Sequence, residues 1–185
     1  HGYGVGWASD RLTACPKEVV IGGAPTNWEL GTRDAGSYAT FSDVVNYFDW
    51  LGAQFTQQAD RRARIEAAAI AIHAQEAELG QAMLHGTGNL KGLAELPGVT
   101  IIGGVDTPGR EGVISLTVAG KPSEDVVALL NRRGVRTHTR KDDHYSGNVL
   151  KPLGFPSCIR VSFSHYNTLQ KVSHFLTGMA EVTNR

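Results

Sequence analysis

Arg160 is the residue whose type and position most strongly indicate binding chemistry. It lies in the middle of the run Cys158-Ile-Arg-Val-Ser162, whose β-branched residues favour a strand. The planar guanidinium of arginine donates two parallel hydrogen bonds to a carboxylate, which a lysine ammonium cannot do. Alternation along a strand places the Cys158 thiol on the same face as Arg160. The ordinary alternatives are a solvated edge-strand arginine and a buried structural cysteine.

A second group of reactive side chains lies upstream, in the stretch Arg140-Lys-Asp-Asp-His-Tyr-Ser146. His138, Asp142, Asp143 and His144 are of metal-ligand types, but their spacing matches no standard ligand pattern. On one strand, half of them would point away from a common ion. The stretch is therefore interpreted as a charged loop without a metal.

The composition limits the partners of the chain. Its 185 residues include 18 basic and 18 acidic side chains, so the formal net charge is zero. No basic surface for nucleic acid or anionic lipid is indicated. The two cysteines form no CxxC pair, which favours a reducing compartment. No apolar run reaches the roughly 18 to 20 residues that span a bilayer, so we expect no membrane span and a cytoplasmic location.

The first 36 residues have the composition of a strand and a long connecting loop. The opening segment, residues 1–7, is glycine-rich and aromatic and predicts a loop that enters a short buried strand. Residues 13–36 contain prolines and glycines and few periodic apolar positions, which predicts an extended connection. Connections of this length are usually functional.

Two helices are predicted next. From Tyr38 to Leu51 the apolar residues recur at helical spacing, and Gly52 is expected to cap the end. From about Asp60 to His85 the sequence is alanine-rich with a single apolar stripe, which predicts a longer helix.

The second half of the chain changes to alternating strands and helices. The predicted elements, in order, are strands at 99–102 and 113–118, a helix capped by Ser123 and ending before Gly134, a strand at 135–139, a helical turn ending near Gly154, a strand at 158–162 and a helix capped by Thr168.

This order predicts an α+β fold with a small, mainly antiparallel sheet that helices cover on one face. The expected organisation has three parts: the end of a larger domain with its connecting loop at 1–36, a helical connection with a long bridging helix at 37–89, and a small C-terminal domain at 90–185.

Three motifs, in the same order along the chain, resemble the class V aminotransferase and cysteine desulfurase family of fold type I pyridoxal-phosphate (PLP) enzymes. Residues 159–168 are similar to the arginine-containing strand and Tyr-Asn-Thr turn near the C-terminus of that family. Trp28-Glu-Leu-Gly-Thr32, followed by a helix, is similar to its Glu-x-Gly-Thr segment. The sequences at 96–99, 113–118 and 134–136 follow the family's order and spacing. The resemblance therefore covers nearly the whole chain.

The resemblance implies PLP as the cofactor and a homodimer as the assembly. The family's Schiff-base lysine precedes a glycine-rich strand similar to residues 2–7, so it is expected upstream of His1 and not at Lys17. The chain is then a C-terminal portion without a catalytic residue of its own. Gly31 and Thr32 resemble the pair that reaches across the dimer to the cofactor phosphate, since a hydroxyl and a backbone N–H suit an anion.

The resemblance also implies roles on the substrate side. Arg160 corresponds to the arginine that grips the α-carboxylate of an amino acid and orients its Cα bonds over the cofactor ring. Arg140 corresponds to a second arginine of the substrate pocket and is expected to hold a carboxylate or a distal anionic group. His144 is expected to donate to the substrate or to orient Tyr145.

Tyr145 stands where cysteine desulfurases carry their nucleophilic cysteine. A tyrosine hydroxyl cannot accept sulfur as a persulfide, because that step needs a thiolate. Cys158 is near in sequence, but it is predicted on a strand and not on a loop.

The resemblance therefore implies a parent enzyme that acts on an amino acid. We expect a desulfurase-like lyase reaction on a sulfur-containing or related amino acid. Transamination and isopenicillin-epimerase-like epimerisation are alternatives, and a non-catalytic fragment that supplies only dimer and substrate-side contacts is another. The chain by itself is expected to be inactive.

Overall fold

The computed structural model describes residues 6–16, 18–19, 21–22, 34–107 and 109–184. The chain divides into two compact units, His1–Ile65 and Glu66–Arg185. Most of the predicted opening strand lies outside the described residues, as does much of the predicted loop. In the part that is described, residues 6–9 have no regular structure and a short helix α1 spans Asp10–Thr13.

Helix α2 spans Ala35–Gly52, and its first turn is fixed by a side-chain cap. Asp34 Oδ1 accepts a hydrogen bond of 3.0 Å from the backbone N–H of Gly36. The helix therefore starts three residues before the predicted Tyr38, because the acidic cap and not the first apolar residue sets its beginning.

Gly52 has a different role from the predicted cap. It is the last residue of α2, and Ala53 caps the helix. A Cβ at Gly52 would lie 1.8 Å from the carbonyl oxygen of Arg64 in helix α3, which spans Arg61–His85. Glycine is required here because the two backbones approach too closely for any side chain.

The second unit is built around a four-stranded antiparallel sheet, which confirms the predicted α+β class. A hairpin of β1 (Gly86–Thr87) and β2 (Leu90–Lys91) comes first, followed by a 3-10 turn at Leu93–Glu95. The sheet strands are β3 (Val99–Ile102), β4 (Val113–Val118), β5 (His138–Lys141) and β6 (Ser157–Ser162), in the spatial order β3-β4-β6-β5. The helices are α4 (Ser123–Arg132), α5 (Gly147–Leu150) and α6 (Leu169–Thr183).

One face of this sheet forms the hydrophobic core. Alternate residues of β4 and β6 are buried in one cluster with apolar side chains of α3, α4 and α6; its members include Leu84, Ile114, Leu116, Val126, Leu130, Ile159, Val161, Val172, Leu176 and Met179. The intervening residues of the same strands, among them Ser115, Cys158 and Arg160, are directed to the opposite face. The core therefore fixes the strands that present the polar face.

The end of α4 explains why β5 begins later than predicted. Gly134 has φ +76°, and its N–H donates to the carbonyl of Asn131 while the N–H of Val135 donates to the carbonyl of Leu130. These two bonds form a Schellman motif, so Val135 belongs to the helix ending and β5 starts only at His138. At the other end of α4, the N-cap position is Pro122 and the predicted cap Ser123 is the first helical residue.

The predicted cap of the last helix is confirmed. The side chain of Thr168 accepts a hydrogen bond from the backbone N–H of Lys171, 3.4 Å away, at the start of α6. Among the described residues, no helix is both long enough and apolar enough to cross a membrane.

Candidate active site

Strand register brings the two predicted arginines onto one face of the sheet. Arg160 on β6 lies opposite Ser115 on β4 and His138 on β5, and Cys158 lies opposite Arg140. Directly opposed residues of antiparallel strands direct their side chains to the same face. Arg140 and Arg160 are 20 residues apart in the sequence, and the pairing of β5 with β6 brings them close together on this face.

These side chains line a cavity of about 470 Å³. Its walls come from all four strands of the sheet, from the loop before α5 and from α5 itself: Ile102, Ser115, Arg140, Tyr145, Ser146, Val149, Leu150, Cys158 and Arg160. The volume lies in the range of small-molecule sites, which are about 300 to 1,000 Å³. The cavity therefore brings together three of the four predicted substrate-binding residues, while His144 is not part of its lining.

The charge of the cavity favours an anionic group. Of the residues that the structure describes, two arginines line it and no carboxylate does. Arg160 Nε is buried and has no hydrogen-bond partner in the described part of the chain. A buried guanidinium N–H without an acceptor is costly, so an incoming carboxylate that accepts from it gains a strong, charge-assisted bond.

Cys158 is a buried thiol inside this cavity, with 3% of its surface exposed. Burial raises the pKa of the Cys158 thiol, while a hydrogen bond with Ser115 and the charges of Arg140 and Arg160 act in the opposite direction. Because the net shift is upward, the group is a protonated thiol at neutral pH. It is not an activated nucleophile, since thiolates are the reactive form.

Thiol labelling checks this assignment. With Ellman's reagent at pH 7 we expect Cys15, which is exposed, to react first and Cys158 at least about tenfold more slowly, because both burial and a raised pKa limit its thiolate. A Cys15→Ser variant isolates the slow phase, and denaturant should make it fast. Equal fast rates for both thiols in the folded chain would contradict a buried, protonated Cys158.

The loop that carries Tyr145 is shaped by Asp143. The backbone N–H groups of Tyr145 and Ser146 donate to Asp143 Oδ1 at 2.9 and 3.2 Å. These bonds hold the pKa of the Asp143 carboxyl below its ordinary value. The Tyr145 ring is 78% exposed and lies against the His144 ring, with centroids 4.0 Å apart. His144 is therefore outside the cavity lining but contacts Tyr145, which is part of it.

Several residues of the site were not predicted. Ser115, Ile102, Val149 and Leu150 line the cavity. The polar Ser115 between apolar neighbours in β4 was an available signal, because alternation assigns it to the face away from the core. Val149 and Leu150 gave no signal, because their contact depends on how the loop before α5 folds over the sheet.

Glu76 is a further residue that the sequence did not reveal. Its Oε1 accepts hydrogen bonds from Ser164 Oγ at 2.9 Å and from the His165 backbone N–H at 3.2 Å. In the same turn, Asn167 Oδ1 accepts from the N–H of Ser164 at 2.9 Å. The Tyr-Asn-Thr segment of the resemblance thus forms a turn that joins β6 to α6, and α3 fixes that turn.

Gly31 and Thr32, the residues predicted to contact the cofactor phosphate, lie outside the described residues. Within the described ranges, no three His, Cys, Asp or Glu side chains are grouped so that they could hold a metal ion.

Sequence comparison assigns the family. The model of the aminotransferase class-V family matches residues 10–175, and the chain therefore belongs to this family. It is 26% identical over 160 residues to a "Probable cysteine desulfurase" of Mycolicibacterium paratuberculosis, which covers 86% of this chain and 20% of that protein. A "Probable cysteine desulfurase" of Xylella fastidiosa is 26% identical over 171 residues, covering 90% of this chain and 35% of that protein.

Solved structures agree with this fold. The apo cysteine desulfurase of Thermococcus onnurineus NA1 has a TM-score of 0.51 and 26% identity, covering 67% of this chain and 29% of that one. The cysteine desulfurase CsdA (S-sulfonic acid) of Escherichia coli has a TM-score of 0.59 and 20% identity, covering 91% and 36%. The chain thus spans only about a fifth to a third of the length of the curated relatives it matches.

Proposed function

We propose that this chain supplies the substrate-carboxylate side of a PLP-dependent enzyme that acts on an amino acid by a desulfurase-like lyase reaction. The observation that carries the proposal is the pair Arg140 and Arg160 in one cavity, which no carboxylate of a described residue lines. Among the same residues, the buried Arg160 Nε has no hydrogen-bond partner. A bidentate guanidinium–carboxylate pair fixes both the position and the orientation of an amino acid. Membership of the aminotransferase class-V family supports a PLP-dependent enzyme, and the similarity to proteins named as probable cysteine desulfurases supports the desulfurase-like reaction.

The cavity fits the substrate end of such an enzyme. Its arginines are suited to the carboxylate of an amino acid, and no lysine lines it. PLP, when bound, supplies an electron sink for the bond that breaks at Cα. We propose Gly31 and Thr32 as contacts of its phosphate and a lysine upstream of His1 as the residue that carries it. The homodimer implied by the resemblance and the cytoplasmic location expected from the sequence are part of this proposal.

Each described residue then has a defined task. Arg160 binds the α-carboxylate and sets the orientation of the substrate. Arg140, opposite Cys158 in the strand register, binds a second oxygen of that carboxylate or a distal anionic group. Tyr145 closes the outer side of the cavity, and the His144 ring packed against it restricts its rotation.

The side chains present argue against sulfur transfer through this loop. Tyr145 cannot carry a persulfide, and Cys158 is buried and protonated. With L-cysteine as substrate, the proposed reaction is therefore elimination: the Cβ–S bond breaks, the sulfur leaves as hydrogen sulfide, and water releases pyruvate and ammonia. Transamination or epimerisation is the second candidate, because neither requires an accessible thiol.

The products formed by the full-length parent test this proposal. With L-cysteine we expect sulfide and pyruvate in equal amounts, because elimination releases one of each, and no alanine. The amount of sulfide is measured by the methylene blue assay, and the amount of pyruvate by an assay that couples it to an enzymatic reduction. Alanine with a protein persulfide would show sulfur transfer and overturn the elimination. A keto acid formed without sulfide would establish transamination, and racemised substrate would establish epimerisation.

A further inference from the structure

A second cavity lies on the helix-covered side of the sheet, away from the candidate active site. It measures about 810 Å³ and opens at the start of α6. Its apolar lining includes Val161, Phe163, Val172 and Phe175, which belong to the core cluster. The groove thus offers apolar surface at the end of β6 and along the first turns of a helix.

The rim of this groove is basic. Arg136 and Lys171 line it, and no carboxylate among the described residues does. His174 also lines it, with its Nε2 2.8 Å from the carbonyl oxygen of Arg133. Arg136 and Lys171 are exposed, and neither forms an ion pair with a described residue. Nearby cations outside the groove behave differently: Arg133 pairs with Glu181, and Lys141 pairs with Glu124. The cations at the groove are therefore available to an anionic partner.

The groove continues toward the edge of the sheet. A neighbouring cavity of about 570 Å³ is lined by residues of α4 and β5, including Asn131 and His138, again without a carboxylate. Gly134 and Arg136 line both cavities. Strand β5 is the edge strand next to β6, and edge strands have backbone groups free to pair with an added chain. Two adjoining cavities that share Gly134 and Arg136 suit an extended chain better than one compact small molecule.

We propose that this basic groove, defined by Arg136, Lys171 and His174, binds an acidic extended segment of a partner protein. Alternate apolar side chains of the segment enter the cavity between β6 and α6, and its carboxylates pair with Arg136 and Lys171. This combination of backbone edge, pocket and charge is a known mode of peptide recognition. The inference is independent of the chemistry in the candidate active site.

A labelled peptide tests the proposal on the chain itself. The probe is fluorescein-acetyl-Asp-Leu-Glu-Phe-Asp-Leu-Glu-Phe-amide, followed by fluorescence anisotropy at low salt. We expect saturable binding with a Kd on the order of 100 µM or tighter. The matched peptide with Asn and Gln in place of Asp and Glu should bind at least about tenfold more weakly, because its charge is absent.

Charge reversal locates the site. Arg136→Glu with Lys171→Glu should weaken binding of the acidic peptide at least about tenfold, whereas Lys151→Glu, exposed and outside the groove, should leave it within about twofold. The Lys171 change should not harm folding, because Glu at the third position after the Thr168 cap completes a capping box. Circular dichroism checks that the variants are folded.

Four results would overturn the proposal. The first three are equal binding of the neutral peptide, unchanged binding by the double variant, and no binding of the acidic peptide, whether or not the apolar anion dodecanoate binds the groove. Concentration-dependent dimerisation of the chain that the double variant abolishes would assign the groove to a second copy and would also overturn it.

Discussion

Arg160→Ala in the full-length parent is expected to lower kcat/KM for amino acids by about two orders of magnitude or more. Removing one partner of a desolvated, hydrogen-bonded charge pair costs roughly 2 to 5 kcal/mol. Arg160 Nε is buried and has no hydrogen-bond partner among the described residues. The substitution therefore removes both the binding energy and the orientation of the carboxylate that would accept from it. Steady-state kinetics across substrate concentrations separates the effect on kcat from the effect on KM.

Two control variants make this result specific. Arg160→Lys should restore little activity, because an ammonium cannot reproduce the two parallel bonds of the guanidinium. Arg132→Ala, which removes an exposed arginine from the last turn of α4, should leave kcat/KM within about twofold. The cofactor absorbance should remain nearly unchanged in all three variants, since the proposed phosphate contacts lie elsewhere. Near-normal turnover by Arg160→Ala, or complete loss of PLP, would contradict the carboxylate role.

The division of the sheet into a core face and a polar face could be predicted, because the alternation of side chains along a strand is a local property of the sequence. The run that contains Arg160 alternates apolar and polar residues, and the structure places Ile159 and Val161 in the core and Arg160 on the opposite face. Two helix boundaries were equally accessible, since Gly134 at the end of α4 and Thr168 at the start of α6 determine backbone geometry within a few residues. The α+β class followed from these local signals and from their order.

The partners across strands could not be predicted in the same way. Arg140 meets Cys158 only because β5 pairs with β6 in one particular register, and that register is fixed by the core packing of both strands. The β1–β2 hairpin has strands of two residues, too short for a periodic signal. The contact of Glu76 with Ser164 joins residues 88 apart, which no spacing rule addresses.

Ile159→Ala is expected to cause the largest loss of stability of the substitutions proposed for this chain. Ile159 lies on the core face of β6, and its packing keeps in place the strand that carries Arg160 on the opposite face. Ile159 is fully buried and lies opposite Leu116 and Thr139 in the strand register. Truncating a buried isoleucine to alanine removes its transfer free energy and leaves a cavity, which together cost about 2 to 5 kcal/mol. The free energy of unfolding of the second unit should fall by that amount in chemical denaturation followed by circular dichroism.

Ile70→Ala is the matched control for this substitution, since it makes the same chemical change at a position that is 71% exposed on α3. Its effect should stay within about 0.5 kcal/mol, because surface substitutions away from packed contacts change stability little and alanine favours a helix. Arg160→Ala, on the other face of the same strand, should cost far less stability than Ile159→Ala. If Ile159→Ala and Ile70→Ala shifted the denaturation midpoint equally, Ile159 would not belong to the core, and the face assigned to Arg160 would be wrong with it.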